Sequence, residues 1–563
     1  MKELRFADQF ISTVTSALAT LVVSLYIIKM LHLPELDLWA LCLFCLVFLL
    51  FIGDSRLTPK LKTSRLRVSR LSPMLLVISV VFLSRVMVSW GKTLPPGWDP
   101  SFHLLLAQKI QESKTLATDW LPFRNISINY PVGMHNLLAV IATHTGFALS
   151  DVFQYGFPIL GCLNSLQIFV LARQILPSTR GPVYCALAYG MWAWAGSADY
   201  YRWGGLPNQL AFTFVLGAWI LLIQNHRSKA IFLMLTIQLA AIPLTHHHVM
   251  TVALVLFASL GMYLCFTKQF AALKYFCSSA FSATILSSFF WIPYLKKASS
   301  ITSTNAICRS EEALQNIFDI PDHMGYVFFV FSALGVTALI RKTYVPKTTH
   351  FPNITKALWV PLVFLGSVWF CLGPLLQIGS RVIWGQSCVA FTPSRFYTDA
   401  VYFLAIPAGY AFYLAVEYGR LRYRYALLLA LVLSLGNFDH WRLLYKRIPV
   451  QPELEEAYLW VKEHSLKSDV LCDQEVYWKH QGMWASFLTQ RPTGRTPIPV
   501  SEPQISQPPD SEAAINLYCN EGVQTDYLRG RRVLDVVNRN ENNARAYKEI
   551  LKGFGSEIDI VVR

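Results

Sequence analysis

The chain is 563 residues long, 54% hydrophobic and only 15% charged, with a mean hydropathy of +0.38. Soluble domains carry nearer ~25% charged residues, and the charges here cluster between apolar runs of roughly 16 to 22 residues, the length that crosses a bilayer. A soluble protein is excluded, and the lack of a P-loop, a GxGxxG fingerprint or a CxxC zinc pattern leaves no sign of a cytosolic nucleotide site. The net charge of +15 would suit nucleic acid. Lys and Arg gathered in cytoplasmic loops account for it instead, so nucleic acid is not an expected partner.

In chain order, apolar segments 11–31 and 36–52 form a first hairpin. No small-residue cleavage site follows the first of them, so it is expected to remain as a helix. Six basic residues in fifteen follow: Arg56, Lys60, Lys62, Arg65, Arg67 and Arg70. That run belongs in the cytoplasm. Segment 71–90 then crosses outward and delivers residues 91–134 to the outer face. Residues 135–149 are apolar but short, and read as a helix lying on the outer surface. The predicted crossings that follow are 152–172, 183–198, 207–224, 230–247, 249–266, 275–294, 324–340, 356–377, 398–416 and 425–440. The total is about thirteen transmembrane helices, with the N-terminus cytoplasmic and the basic loops inside. The expected fold is an α-helical polytopic membrane protein over 1–440, in a plasma or inner membrane.

Composition shifts at 441. Residues 441–563 are polar, with a Pro-rich stretch around 492–511. ELEEAYLWVKEHS has helical periodicity, whereas SDVLCD, RRVLDVV and EIDIVVR read as short strands. The expectation is a small α/β extracytoplasmic domain. Of eleven cysteines, seven lie in apolar segments and read as core residues. Cys308, Cys388, Cys472 and Cys519 do not. Cys472 with Cys519 is the pair a disulfide would join if the tail is extracytoplasmic, though spacing alone does not assign it.

The chemistry points to the outer face. Asp99 lies in Gly97-Trp98-Asp99-Pro100-Ser101-Phe102-His103, just past a membrane boundary. It reads equally as a catalytic base or metal ligand and as an N-cap followed by a proline at the first helical position. A second outer loop carries Asp199-Tyr200-Tyr201-Arg202-Trp203-Gly204-Gly205-Leu206-Pro207-Asn208, and a later one Arg395-Phe396-Tyr397. A carboxylate can deprotonate an acceptor hydroxyl. Arg202 and Arg395 suit a lipid-linked phosphate, which a guanidinium matches in a bidentate way. Trp203 and Tyr397 can stack on sugar, although aromatics are also ordinary interface residues. His246, His247 and His248 are consecutive and so do not share one helical face, which argues against a metal site.

This pattern resembles the GT-C superfamily of integral-membrane glycosyltransferases, which includes oligosaccharyltransferase catalytic subunits, protein mannosyltransferases and aminoarabinose transferases. The likeness rests on GWDPSFH with Asp99, on NYPVGMHNLLAVIATHTG as a following helix, on Asp199 in the next outer loop, and on a long helical body with an outer tail. It implies Asp99 as the base, with His103, Asp199, Arg202, Trp203, Asn208, Arg395 and Tyr397 around the substrate. The implied partners are a polyprenyl-(di)phosphate-linked sugar, a glycan, lipid or protein acceptor, and membrane lipids. Many members carry two first-loop acids. Asp99 stands alone, so no metal ligand is assigned and a divalent cation, Mg²⁺ or Mn²⁺, stays an open alternative. No WWD-type signature is present, which argues against N-glycosylation. Two other readings remain: a transporter or flippase of lipid-linked sugars, and a non-catalytic envelope-polysaccharide assembly protein.

Overall fold

A computed structural model describes residues 2–41, 68–97, 99–117, 128, 130–176, 180–224, 228–299, 307–308, 320–343, 367–368, 371, 388–389, 393–446, 450, 452–464, 470–473, 484–489, 533–538, 549–554 and 558–562. Among them, six helices are long and apolar enough to cross a membrane, and four shorter helices are apolar. The protein is a polytopic, α-helical integral membrane protein. Predicted crossing 36–52 lies mostly, and 356–377 almost wholly, outside the described residues.

The body begins with α1 (Lys2–Met30), α2 (Val68–Ser89), α3 (Asp99–Ser113), α4 (Gly133–Thr145) and α5 (Leu149–Ile175). After α6 (Gly181–Leu187) come α7 (Leu206–Gln224), α8 (Lys229–Thr245), α9 (His247–Phe266), α10 (Phe270–Leu286) and α11 (Ser288–Ser299). The set continues with α12 (Tyr326–Thr343), α13 (Pro393–Tyr418), α14 (Tyr423–Leu433) and α15 (Phe438–Lys446).

Apolar helices gain little by leaving lipid for each other, so polar bonds and close backbone approach hold such a bundle. Both are present. Gln167 of α5 donates to Thr15 of α1 at 3.0 Å, and Gln238 of α8 donates to Ser16 at 2.7 Å. Thr213 of α7 donates to Asn164 of α5 at 2.7 Å. Where α12 crosses α13, a Cβ on Gly335 would sit 1.9 Å from the Pro407 carbonyl oxygen.

Two predicted helices take a different form. Segment 183–198 is not one straight crossing. It starts as α6, passes into π-helical turns at Ala188–Trp192 and Trp194–Ala198, and breaks at Ala195 (ψ 146) and Gly196 (φ 67). Irregular backbone is tolerated at membrane depth only inside protein, and residues 181–201 are all buried. Helix α4 is too short to span, as expected, and its first half packs inside the protein while Thr143, His144 and Thr145 are exposed. Gly133 to Val140 are buried, because the α4 N-terminus comes so close to α8 that a Cβ on Gly133 would meet the Leu244 carbonyl oxygen at 2.5 Å.

Helix α15 runs through position 441. Beyond it, α16 (Pro452–His464) and α17 (Trp484–Thr489) pack on each other. Strands also occur: Ile307–Cys308 (β1) pairs antiparallel with Cys388–Val389 (β2). In the tail, Val470–Asp473 (β3), Val533–Asn538 (β4), Glu549–Phe554 (β5) and Ile558–Val562 (β6) form a four-stranded sheet in the order β3-β4-β6-β5. The first pair is parallel and the others antiparallel. Strands β3, β4 and β6 and helix α16 fall on the elements read from the tail sequence, whereas β5 was not among them. Cys472 faces Asp535 in the β3–β4 register, and Cys519 lies outside the described residues.

Candidate active site

The two acidic loops meet through a pair of glycines. Gly97 (φ 116) leads into α3, and a Cβ there would lie 2.2 Å from the Arg202 carbonyl oxygen. Gly204 (φ 83) ends the Tyr200–Trp203 turn, and a Cβ there would lie 2.7 Å from Pro100 N and 2.9 Å from Asp99 Cβ. Both backbones adopt the left-handed region open to glycine. The result is direct contact of Gly97, Asp99 and Pro100 with Arg202 and Gly204. Asp99 is the first residue of α3, half-buried, with Pro100 next. Asp99 thus starts a helix and at the same time packs against Gly204 of the second acidic loop. From the tail, buried Trp484 donates its indole N–H to the Gly97 carbonyl at 3.0 Å.

Asp199 is buried and engaged from two sides. Arg202 Nε lies 2.7 Å from Oδ1, an ionic contact not aligned as a hydrogen bond, and Trp203 Nε1 donates to Oδ2 at 3.0 Å. The Arg202 side chain keeps 45% of its surface exposed. Its guanidinium thus has one edge on Asp199 and the rest towards the outside. Asn208 is buried in the first turn of α7.

His103, one turn into α3, meets His135 of α4, with Nδ1 and Nε2 2.9 Å apart. Tyr130 packs edge-on or tilted against both rings, and also against His246 and His247, with centroids 5.4–5.8 Å away. His246 caps α9 by accepting from the Val249 amide at 3.3 Å. His248 points elsewhere, to Asp399 on α13, with Nε2 and Oδ2 2.7 Å apart and side chains only 2% and 1% exposed. Next to Asp399, the Thr398 carbonyl oxygen would lie 2.2 Å from a Cβ on Gly196, which returns the circuit to the segment before Asp199. The contacts thus close a ring: 97–103, Tyr130 and His135, 246–248, 398–399, and 196–204.

Of the predicted residues, Asp99, His103, Asp199, Arg202 and Trp203 lie in this ring. Tyr397 is fully buried next to it on α13. Arg395 lies two residues earlier on that helix, with its side chain outside the described residues. Trp98 also lies outside them. Asp399 was missed by the sequence reasoning. The signal was there: a lone acid inside an apolar segment marks a partnered, functional position. Burial, and then the His103 ring, push His135 well below the usual imidazole range. The cluster therefore holds neutral imidazole there.

A divalent cation does not fit the described donors. Mg²⁺ needs about six oxygen ligands, several of them water, around one or two carboxylates. Asp199 is instead taken up by Arg202 and Trp203. Among the described residues, no three His, Cys, Asp or Glu side chains form a ligand group.

No family model matches the chain, and no curated protein matches it by sequence. Solved structures do match. One is the archaeal oligosaccharyltransferase AglB from Archaeoglobus fulgidus in complex with an inhibitory peptide and a dolichol-phosphate, with TM-score 0.52 and 11% identity over 82% of this chain and 69% of that one. Apo ArnT from Cupriavidus metallidurans aligns at TM-score 0.50 and 12% identity, covering 87% and 97%. The arabinofuranosyltransferase AftD from Mycobacteria aligns at TM-score 0.50 and 13% identity, covering 87% and 41%. The chain therefore has a GT-C-like fold.

Proposed function

We propose that this protein is a membrane glycosyltransferase that takes a sugar from a polyprenyl-(di)phosphate donor and passes it to a hydroxyl of a glycan, lipid or protein outside the cytoplasm. The observation that supports the reading is the contact of the two acidic loops, in which Asp99 and Pro100 meet Gly204 and Gly97 meets the Arg202 backbone, within a GT-C-like bundle. Asp99 accepts the proton of the acceptor hydroxyl. The acceptor oxygen attacks the anomeric carbon, the bond from that carbon to the phosphate oxygen breaks, and the lipid phosphate departs with the bonding electrons. A single displacement of this kind inverts the anomeric centre. Arg202, with its exposed edge, and Arg395 hold the leaving phosphate as charge builds on it. Asp199 and Trp203 hold Arg202 in place. His103, Asn208 and Tyr397 complete the walls around the sugar.

The test is the profile of envelope glycans and polyprenyl-linked sugars in cells lacking the protein, complemented with wild type or Asp99→Asn. The expected result is a glycan short of one sugar, with its lipid-linked donor accumulated, restored by wild type alone. Loss of a general base costs about 10²–10⁴-fold in rate. Full restoration by Asp99→Asn would remove Asp99 from the chemistry.

A second reading, transport of a lipid-linked sugar, draws on the broken helix at 188–198, fully buried Arg85 and the buried His248–Asp399 pair. Movement of donor between leaflets of vesicles without any sugar transfer would favour it.

A further inference from the structure

Arg85 is fully buried one turn before the C-terminal end of the apolar helix α2. A charge at such a depth is costly and needs a reason. Its recorded contacts are neutral. Nη1 donates to the Val81 carbonyl one turn back at 3.1 Å, and Nη2 donates to Ser197 Oγ at 2.5 Å. The Trp441 ring lies 6.0 Å from the guanidinium carbon. Space for the head group comes from Gly161 on α5, where a Cβ would lie 2.6 Å from Arg85 Nε.

Residues four apart share one helical face, and the Val81–Arg85–Ser89 face of α2 follows the irregular segment along its length. Val81 fills the place a side chain on Gly190 would take, with a Cβ there 2.4 Å from Val81 Cγ2. Arg85 reaches Ser197. Ser89 Oγ lies 3.5 Å from Tyr201 OH, which itself donates to the Gln154 carbonyl at 3.1 Å. A segment with π-turns and a break lacks a regular ladder to hold its shape. Asn437 donates to the Met191 and Trp192 carbonyls at 3.1 and 2.8 Å, and the side chains of α2 hold the segment by its own side chains, Ser197 and Tyr201. Two residues beyond Ser197 comes Asp199, and the chain leaving α2 reaches Asp99 ten residues after Ser89.

We infer that Arg85 is a positioning residue: through Ser197 it holds the broken segment 190–201 on the α2 face, and so sets Asp199 and Arg202 against Asp99. The activity part of this inference rests on the transferase reading. The positional part does not.

The test uses full-length protein in nanodiscs, as wild type, Arg85→Met, Arg85→Lys and Ser197→Ala, with Gln238→Leu as a control that disturbs a buried bond on α8. Amide exchange is read by mass spectrometry alongside thermal unfolding and, with a polyprenyl-linked donor, kcat and KM. Replacing a buried charge by an apolar residue of similar length leaves stability level or higher. A merely structural Arg85 would therefore leave function intact in Arg85→Met. The expected result for Arg85→Met and Ser197→Ala is exchange over 194–203 faster by about tenfold, with α7 unchanged. Turnover is expected to fall at least about tenfold with donor KM within about twofold, because the displaced group acts in the transition state. Lysine, a single compact charge, does not span Val81 and Ser197 together and does not rescue. The inference is overturned if 194–203 stays as protected as in wild type, or if faster exchange spreads evenly as in Gln238→Leu. If no transfer is found with wild type, the transferase reading fails while the exchange result still decides the role of Arg85.

Discussion

Two buried pairs near the ring make residue-level demands. His248 and Asp399 face each other with almost no exposure. Removing one partner takes from the other a buried 2.7 Å contact, at about 1–3 kcal/mol. Asp399→Ala is therefore expected to lower the unfolding temperature sharply, and the double change His248→Leu with Asp399→Leu to recover much of it. Thermal unfolding in detergent reads both. His135 carries a pH dependence of known sign. Its folded-state pKa is depressed by burial and by His103, so below an unfolded value of about 6.5 the unfolded chain binds a proton that the folded chain does not. Stability is complete above that pH and declines as pH falls through it. His135→Phe is expected to flatten the slope of unfolding free energy between roughly pH 6.5 and 5.

At the scale of elements, close backbone crossings dictate sequence. Gly335 of α12 has no room for even a methyl group against the Pro407 carbonyl. Gly335→Val must push α12 off α13, at a cost of about 1–3 kcal/mol or more. Lower yield of folded protein on size exclusion and a lower unfolding temperature are expected. The tail reaches the loop before Asp99 through Glu455 of α16 and Trp484 of α17. Trp484→Phe removes the hydrogen bond to the Gly97 carbonyl, worth about 1 kcal/mol. Limited proteolysis is expected to cut residues 91–98 faster in that variant, with the transmembrane helices untouched. The elements also show where pattern reading ends. Apolar runs of spanning length located most of the described membrane helices. The same apolar content at 183–198 hid a break, because hydropathy does not register Gly196 being turned by the nearness of Thr398.

For the whole molecule, orientation is the open consequence of the charge pattern. Basic residues 56–70 should face the cytoplasm, while Lys92, Arg202 and Glu455 share the opposite end: Lys92 donates to the Leu444 carbonyl at 3.0 Å, and Thr93 donates to Glu455 at 3.0 Å. Single cysteines at 60 and 455 in a cysteine-free background are expected to react with a membrane-impermeant maleimide from opposite sides of sealed vesicles. Labelling from the same side would invert or break the proposed topology.

Membrane embedding, the positions of most described helices, and three strands and one helix of the tail were legible in the sequence alone. Length, apolarity and charge are local properties, and a bilayer imposes the same limits on every segment. What only the tertiary structure decided is which distant residues meet. The Gly97 and Gly204 contacts, the grouping of His103, His135, His246 and His247 around Tyr130, the His248–Asp399 pair and the reach of Arg85 to Ser197 join positions up to 151 residues apart in the chain. No local pattern carries such pairings, because they depend on how helices cross and how far a missing Cβ lets two backbones approach.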